Sequence, residues 1–182
     1  MKRLFVAIPI SEEIKAKIKP IINSLSNIGA EVNPVSLDNL HCTIKFLGSV
    51  EENKVNEIIE IVSAIATEQS SFSIKIQNVG VFPSYEQIKV VWIGAESPKM
   101  VLLIKKINHS LIHIRKEDRE EIPHFTIARI KSGKNKELLK KYLQTIQNQE
   151  FGEMMVNKMM LYESELTPQG SRYRILSEFN LP

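Results

Sequence analysis

HFTIARI, residues 124–130, is the stretch that decides the fold, because it has the composition of a buried strand yet carries two polar side chains. His124 and Thr126 are two residues apart, so on a strand they share one face. Strict alternation puts Arg129 on the opposite face. The apolar residues of the stretch are Phe125, Ile127 and Ile130.

A second stretch, HCTIKFLG at residues 41–48, repeats this arrangement with His41 and Thr43. The two histidines are 83 positions apart (124 − 41). Alternation here puts Lys45 on the face of His41. The residues expected behind that face are Cys42, Ile44 and Phe46. Two H-x-T strands in one chain indicate two related lobes, each supplying one strand to a shared cleft.

Strand and helix periodicities alternate through the rest of the chain. A first helix is predicted after the N-cap candidate Ser11, and Pro20 is expected to kink or break it. Residues 31–40 are interpreted as a polar connection. Further strands are predicted at 4–10, 72–83, 89–96, 154–163 and 172–180. Further helices are predicted at 51–67, 99–117 and 134–147. No linker interrupts this order, so residues 1–182 are predicted to form a single domain of mixed α/β or α+β class.

The composition excludes several classes of protein. Of 182 residues, 43% are hydrophobic and 25% charged, which is ordinary globular usage, and the net charge of +3 agrees with a phosphate-bearing partner without requiring one. Cys42 is the single cysteine, so an intrachain disulfide and a cysteine-based zinc site are excluded. The N-terminal apolar run is too short for a signal peptide, and no stretch approaches a membrane span. The expectation is a cytoplasmic monomer.

The two H-x-T faces together offer two imidazoles and two hydroxyls, a set suited to displacement at phosphorus. Histidine can act as acid or base near neutrality, so one ring can activate water while the other protonates a leaving alkoxide. The hydroxyls of Thr43 and Thr126 can donate to non-bridging phosphate oxygens. The residues do not say which histidine does which. Metal chemistry fits poorly, because each strand supplies one good ligand and no carboxylate is evident nearby, so no metal and no cofactor are predicted.

At these residues the sequence resembles the two-histidine phosphoesterases. The likeness extends in order over nearly the whole chain, through the blocks MKRLFVAIPI, DNLHCTIKFLGSV, VFPS, VVWIGA, PHFTIAR and LYESELTPQGSRY. These blocks resemble the bacterial and archaeal RNA 2′,3′-cyclic phosphodiesterases, formerly called 2′-5′ RNA ligases. The resemblance implies a two-lobed α+β fold in which each lobe is an antiparallel-rich sheet with helices outside and the H-x-T strands face a central cleft.

The resemblance also implies an activity and roles for individual residues. The expected reaction is metal-independent hydrolysis of a terminal 2′,3′-cyclic phosphate on RNA or a nucleotide to a 2′-phosphate, with weak reverse 2′-5′ ligation compatible with it. His41 would be the proton donor and His124 the proton acceptor. Thr43, Thr126 and Arg129 would bind substrate, although Arg129 reaches the phosphate only if a bulge re-aims it.

Two alternatives stay open at this point. A non-catalytic RNA- or nucleotide-binding module would use the same cleft, and within the enzyme class the substrate could be a small cyclic nucleotide, a 2′-5′ linked oligonucleotide or an ADP-ribose cyclic phosphate. His109 and His113 are interpreted as surface histidines, and the run 115–121 as a solvated loop or helix end. The run 131–141 is interpreted as a charged turn and helix face that could also follow an RNA backbone. The aromatic residues interpreted as core, any one of which could stack a base, are Phe5, Phe46, Phe82 and Trp92.

Overall fold

A computed structural model describes the chain over residues 1–116, 122–168 and 170–182. Most of the predicted solvated run 115–121 therefore lies outside the described residues, as does Gln169, between the last two predicted strands. Within the described ranges, no helix is long and apolar enough to cross a membrane.

The described residues form four α-helices and nine strands in an α+β arrangement. The strands are β1 (Lys2–Pro9), β2 (Val32–Pro34), β3 (His41–Val50), β4 (Phe72–Ser84), β5 (Gln87–Glu96), β6 (His124–Ile130), β7 (Glu150–Val156), β8 (Lys158–Thr167) and β9 (Gly170–Asn180). The helices are α1 (Glu12–Asn27), α2 (Val55–Glu68), α3 (Pro98–Ser110) and α4 (Lys136–Ile146). Two short 3₁₀ helices lie at Leu37–Asn39 and Glu52–Lys54.

The strands pair in the order β7-β4-β5-β6-β3-β1-β8-β9, with β2 added beside β6, and every pairing is antiparallel. Two half-sheets meet in the middle of this order. The first half-sheet contains β3, β1, β8 and β9, and the second contains β6, β5, β4 and β7. The pair Cys42↔Phe125 joins β3 to β6. The two H-x-T strands are therefore adjacent at the junction, as the predicted two-lobed fold requires.

The helices pack against one face of each half-sheet. α1 contacts β6 and β7 and α4 contacts β4, whereas α2 contacts β8 and β9 and α3 contacts β3. The side chains that face the helices are apolar and buried, among them Val6, Ile44 and Ile127. The opposite face carries His41 and His124 and is called the cleft face below.

The first helix, α1, continues through Pro20, the residue expected to kink or break it. Ser11 caps it as predicted, with its Oγ accepting a hydrogen bond from Ile14 N at 3.4 Å. The predicted kink or break at Pro20 is wrong in its stronger form, since α1 runs on to Asn27. Pro20 and Ala16 are exposed, so the carbonyl of Ala16 that loses its helical donor faces solvent and water can satisfy it.

Other boundaries differ because short strands lack a clear period. The segment predicted as a polar connection contains β2, which pairs with β6 through Val32↔Ile130. The strand predicted at 154–163 is two strands, β7 and β8, separated at Asn157. α3 ends at Ser110, earlier than the predicted 117, although Leu111 is still buried.

Candidate active site

The site lies where β3 and β6 meet. The antiparallel pair Cys42↔Phe125 fixes the register between the two strands. Extending this register by one residue each way puts His41 across from Thr126 and Thr43 across from His124. Each predicted imidazole thus stands opposite the hydroxyl of the other motif. All four side chains are half-buried.

Both imidazoles are oriented by the same main-chain contact. Nδ1 of His41 lies 2.7 Å from the carbonyl oxygen of Asn39, and Nδ1 of His124 lies 2.6 Å from that of Ile122. In each case the acceptor is two residues before the histidine. A carbonyl only accepts, so Nδ1 must be the protonated nitrogen. The bond leaves Nε2 of each ring as the nitrogen available to take or give a proton.

A bulge follows each H-x-T. In the β1–β3 pairing, the partners of Val6 and Ala7 are Lys45 and Thr43, so Ile44 is an extra residue. In the β5–β6 pairing, the partners of Val91 and Trp92 are Ala128 and Thr126, and Ile127 is the extra one. Both isoleucines are fully buried. Each bulge reverses the alternation of the residues that follow it, which in β3 are Lys45 and Phe46, before a second shift at Leu47.

Because of the bulge in β3, the faces predicted for Lys45 and Phe46 are wrong. Lys45 does not point with His41, because it is 0% exposed and its Nζ donates to Oδ1 of Asn108 on α3 at 3.1 Å. Phe46 is not behind the site either. It is 46% exposed, and its ring centroid is 6.0 Å from that of Phe5, which contacts the His41 ring at 4.8 Å.

The bulge in β6 brings Arg129 to the cleft face. Arg129 is exposed while its neighbour Ala128 is buried, and its positive charge lowers the pKa of both His41 and His124. Arg129 follows His124 by five residues, and Phe46 follows His41 by the same five. The two motifs therefore place an aromatic ring in one half of the site and a guanidinium in the other.

Burial governs the electrostatics of both histidines. Burial, opposed by the carbonyl of Asn39 and reinforced by the charges of His124 and Arg129, lowers the pKa of His41 to about 4. Burial also lowers the pKa of His124, with Arg129 adding to the effect and the carbonyl of Ile122 opposing it. Both rings are therefore mainly neutral at pH 7 in the free protein. An anionic phosphate between them would raise both pKa values.

The threonine hydroxyls are available to a ligand. Over the described residues neither Oγ1, of Thr43 or of Thr126, makes a hydrogen bond to the protein. Polar groups that are half-buried and unpaired beside two imidazoles are suited to donate to an oxyanion.

The aromatic residues around the two rings differ. His41 is enclosed by Phe5, Tyr162 and Tyr173, with ring centroids at 4.8, 6.2 and 5.3 Å. His124 is flanked by Phe82 at 5.1 Å and Trp92 at 6.0 Å. Tyr173 lies on β9, and its contact with His41 was not predicted from the sequence. The only signal for that contact was the block LYESELTPQGSRY, which falls on the same two strands.

No metal centre is evident among the described residues, since no group of three or more histidine, cysteine, aspartate or glutamate side chains comes together there. His113, one of the two helical candidates, lies beyond the end of α3, and its Nε2 lies 2.8 Å from Oε1 of Glu57 on the surface. Arg174, on β9, pairs with Glu163 on β8.

Comparison with known proteins identifies relatives over the whole chain. A family model described as LigT like Phosphoesterase matches residues 8–92 and 94–173. The chain is 37% identical to an RNA 2′,3′-cyclic phosphodiesterase of Methanocaldococcus jannaschii over 97% of this chain and 99% of that one. It is also 37% identical to an RNA 2′,3′-cyclic phosphodiesterase of Aquifex aeolicus, over 93% and 90% of the respective chains.

Solved structures share the fold. A crystal structure from Thermus thermophilus has a TM-score of 0.86 at 25% identity, covering 98% of this chain and 97% of that one. Escherichia coli LigT in complex with 3′-AMP has a TM-score of 0.77 at 24% identity, covering 99% and 98%.

Proposed function

Since this chain belongs to the LigT-like phosphoesterase family, we propose that it is a hydrolase that opens a terminal 2′,3′-cyclic phosphate on RNA and leaves a 2′-phosphate. The relatives that carry this name match almost end to end. The observation that carries the proposal for this chain is the pair of Nδ1-to-carbonyl hydrogen bonds, which leaves two Nε2 atoms opposite two free threonine hydroxyls.

In the proposed mechanism, Nε2 of His124 takes a proton from water as its oxygen attacks phosphorus. The bond from phosphorus to O3′ breaks, and His41 gives its proton to O3′. Thr43 and Thr126 donate to the non-bridging oxygens, and Arg129 offsets their negative charge. After one turnover His124 carries the proton that His41 has lost, and exchange with solvent restores the pair.

His41 needs substrate to act as the donor. With a pKa of about 4, only about one ring in 1,000 is protonated at pH 7 in the free protein. A bound phosphate anion would stabilise the protonated form of His41, because a negative charge beside an imidazole raises its pKa. Productive protonation of His41 is thus coupled to binding of the phosphate.

We further propose that residues 1–182 act as one bilobal catalytic domain, a cytoplasmic monomer that needs neither metal nor cofactor. Each half-sheet supplies one histidine and one threonine, so neither half is a complete site. Elution of the active protein at the size of one 20.8 kDa chain would support this, and activity confined to a larger species would contradict it.

The deciding experiment is product analysis of an oligonucleotide ending in a 2′,3′-cyclic phosphate, incubated with the protein in EDTA. The expected product is the 2′-phosphate alone, at the rate measured without chelator. Activity lost in EDTA and restored by zinc or manganese would contradict the two-histidine mechanism. Tight binding of the oligonucleotide without turnover would favour the non-catalytic module instead.

A further inference from the structure

A cavity of about 580 Å³ lies beside the candidate site, on the second half-sheet. Its walls come from β4, β5, the hairpin between them and the segment that follows α4. Cross-strand pairing places it on the cleft face, because Trp92 pairs with Thr126 and Gly80 pairs with Trp92. The volume is within the usual range for small-molecule sites.

The wall nearest to His124 is an indole held flat by a glycine. A Cβ at Gly80 would lie 2.2 Å from the Trp92 ring, so only glycine lets the ring rest on β4. Nε1 of Trp92 is buried and has no hydrogen-bond partner in the described part of the chain. Packing on Gly80 and on the ring of Phe82, 5.1 Å away, therefore sets the orientation of the indole.

The remaining lining suits a nucleobase better than a phosphate. Tyr85 adds a second aromatic ring, and Asn78 and Gln147 add amides that can both donate and accept hydrogen bonds. The charged side chain on this lining is the carboxylate of Glu86, which would repel an anion. Aromatic faces with amide groups at the rim are how proteins hold unpaired bases.

The position of the cavity suggests which base it takes. Asn78 and Gly80 lie on β4, two strands from the strand of His124, or about 10 Å at the usual strand spacing. In the proposed mechanism a terminal nucleotide with its phosphate between the histidines would fill the space directly beside them. A strand that continues on its 5′ side would then have this cavity within one strand spacing or two.

We propose that this cavity binds the nucleobase of the nucleotide preceding the terminal one in an RNA strand, so that the protein selects oligonucleotides over mononucleotides. The inference rests on the proposed function, and it adds a substrate subsite formed by Trp92, Tyr85 and Gln147.

The kinetic test compares three substrates that share the same cyclic phosphate end. These are a dinucleotide, the same dinucleotide with an abasic 5′ residue, and a mononucleotide. We expect kcat/KM for the dinucleotide to exceed both others by roughly 5- to 150-fold, the range set by one base–aromatic stack. Gln147→Ala and Tyr85→Leu should bring that ratio towards one. Gln144→Ala, the matched amide one turn earlier on the exposed side of α4, should keep the wild-type ratio.

A binding test separates failure of this subsite from failure of the proposed function. Trp92 is the single tryptophan of the chain, so its fluorescence reports on the cavity without any turnover. The dinucleotide carrying a 2′-phosphate should quench it at lower concentration than its abasic counterpart. Equal quenching by the two, or equal kcat/KM for the dinucleotide and the abasic substrate, would overturn the subsite while cyclic phosphate hydrolysis stands. Loss of hydrolysis with all three substrates would instead overturn the proposed function.

Discussion

The two halves of the site have the same local geometry and different surroundings. Each begins with a histidine whose Nδ1 meets the carbonyl two residues earlier, continues with a threonine, and has a bulge at the following isoleucine. Around this common motif, the first half-sheet encloses His41 in three aromatic rings, while the second leaves His124 less buried and beside Arg129. The motif sets the direction of the imidazole, and the surroundings set its pKa.

The first prediction tests whether the two histidines have different roles. His41→Ala and His124→Ala should each lower kcat by roughly 10²–10⁴-fold, the usual range for loss of a general acid or base. Because both pKa values are lowered in the free protein, both limbs of kcat/KM against pH should lie below 6.5. A profile with its optimum well above neutrality would contradict this.

The leaving group then separates acid from base. Sulfur in place of O3′ needs little protonation to depart, so a 3′-thio cyclic phosphate should rescue His41→Ala and leave His124→Ala slow. Rescue of His124→Ala alone would reverse the two roles and keep the two-histidine mechanism. Wild-type rates in both alanine variants would contradict the two-histidine mechanism.

The second prediction uses stability to measure how deeply each ring is buried. The pKa of His41 is about 4 in the folded protein and 6.5 without burial. The folded protein favours the neutral form of His41. The contribution of this ring to the free energy of unfolding is therefore complete above pH 6.5 and is lost as the pH falls towards 4. The loss is about 3 kcal/mol, from 2.5 pKa units. Denaturant unfolding of wild type and His41→Gln should show the wild type losing that much more stability over this window.

The matching variant at His124 is the control for this measurement. Burial also lowers the pKa of His124, whose ring is less buried than that of His41. His124→Gln should therefore flatten the pH dependence of unfolding in the same direction and by a smaller amount. Equal changes in both variants would show that the two halves bury their rings equally.

The third prediction concerns the shared part of the motif. If both hydroxyls bind the developing oxyanion, Thr43→Ala and Thr126→Ala should each cost on the order of 10²-fold in kcat. The corresponding serine variants keep the hydroxyl and should retain most of the rate. Thermal unfolding should change little, because both threonines are half-buried at the cleft face. Wild-type kcat in an alanine variant would mean that this threonine only shapes its strand.

Alternation was enough to predict the two H-x-T strands and their four polar side chains, whereas the choice of a two-lobed α+β fold came from the resemblance to the two-histidine phosphoesterases. Alternation failed just beyond each threonine, where the faces of Lys45, Phe46 and Arg129 depend on a bulge. A bulge is set by how two strands distant in sequence pair, so a period-2 reading of one strand cannot detect it. Pairing also explains why β2 was missed, since three residues are too few to show a period.

The last prediction compares the two residues that the bulges bring to the cleft, and its expected effect is the smallest. Arg129→Gln removes a positive charge that lowers the pKa of both histidines, so both limbs of the pH profile should move to higher pH. It should also lower kcat/KM by about 10-fold, since one charged hydrogen bond to phosphate is lost.

Two further variants, Arg129→Lys and Phe46→Leu, distinguish the effect of the Arg129 charge from the effect of side-chain shape. Arg129→Lys keeps the charge, so the limbs should stay near their wild-type positions while part of the kcat/KM loss remains, because an ammonium cannot bind phosphate oxygens in the bidentate way of a guanidinium. Phe46→Leu, five residues after His41, changes an uncharged group and should leave both limbs where they are. Limbs that do not move in Arg129→Gln would show that this guanidinium lies away from both rings in solution. The second half of the site would then differ from the first in burial and in the aromatic rings around its histidine.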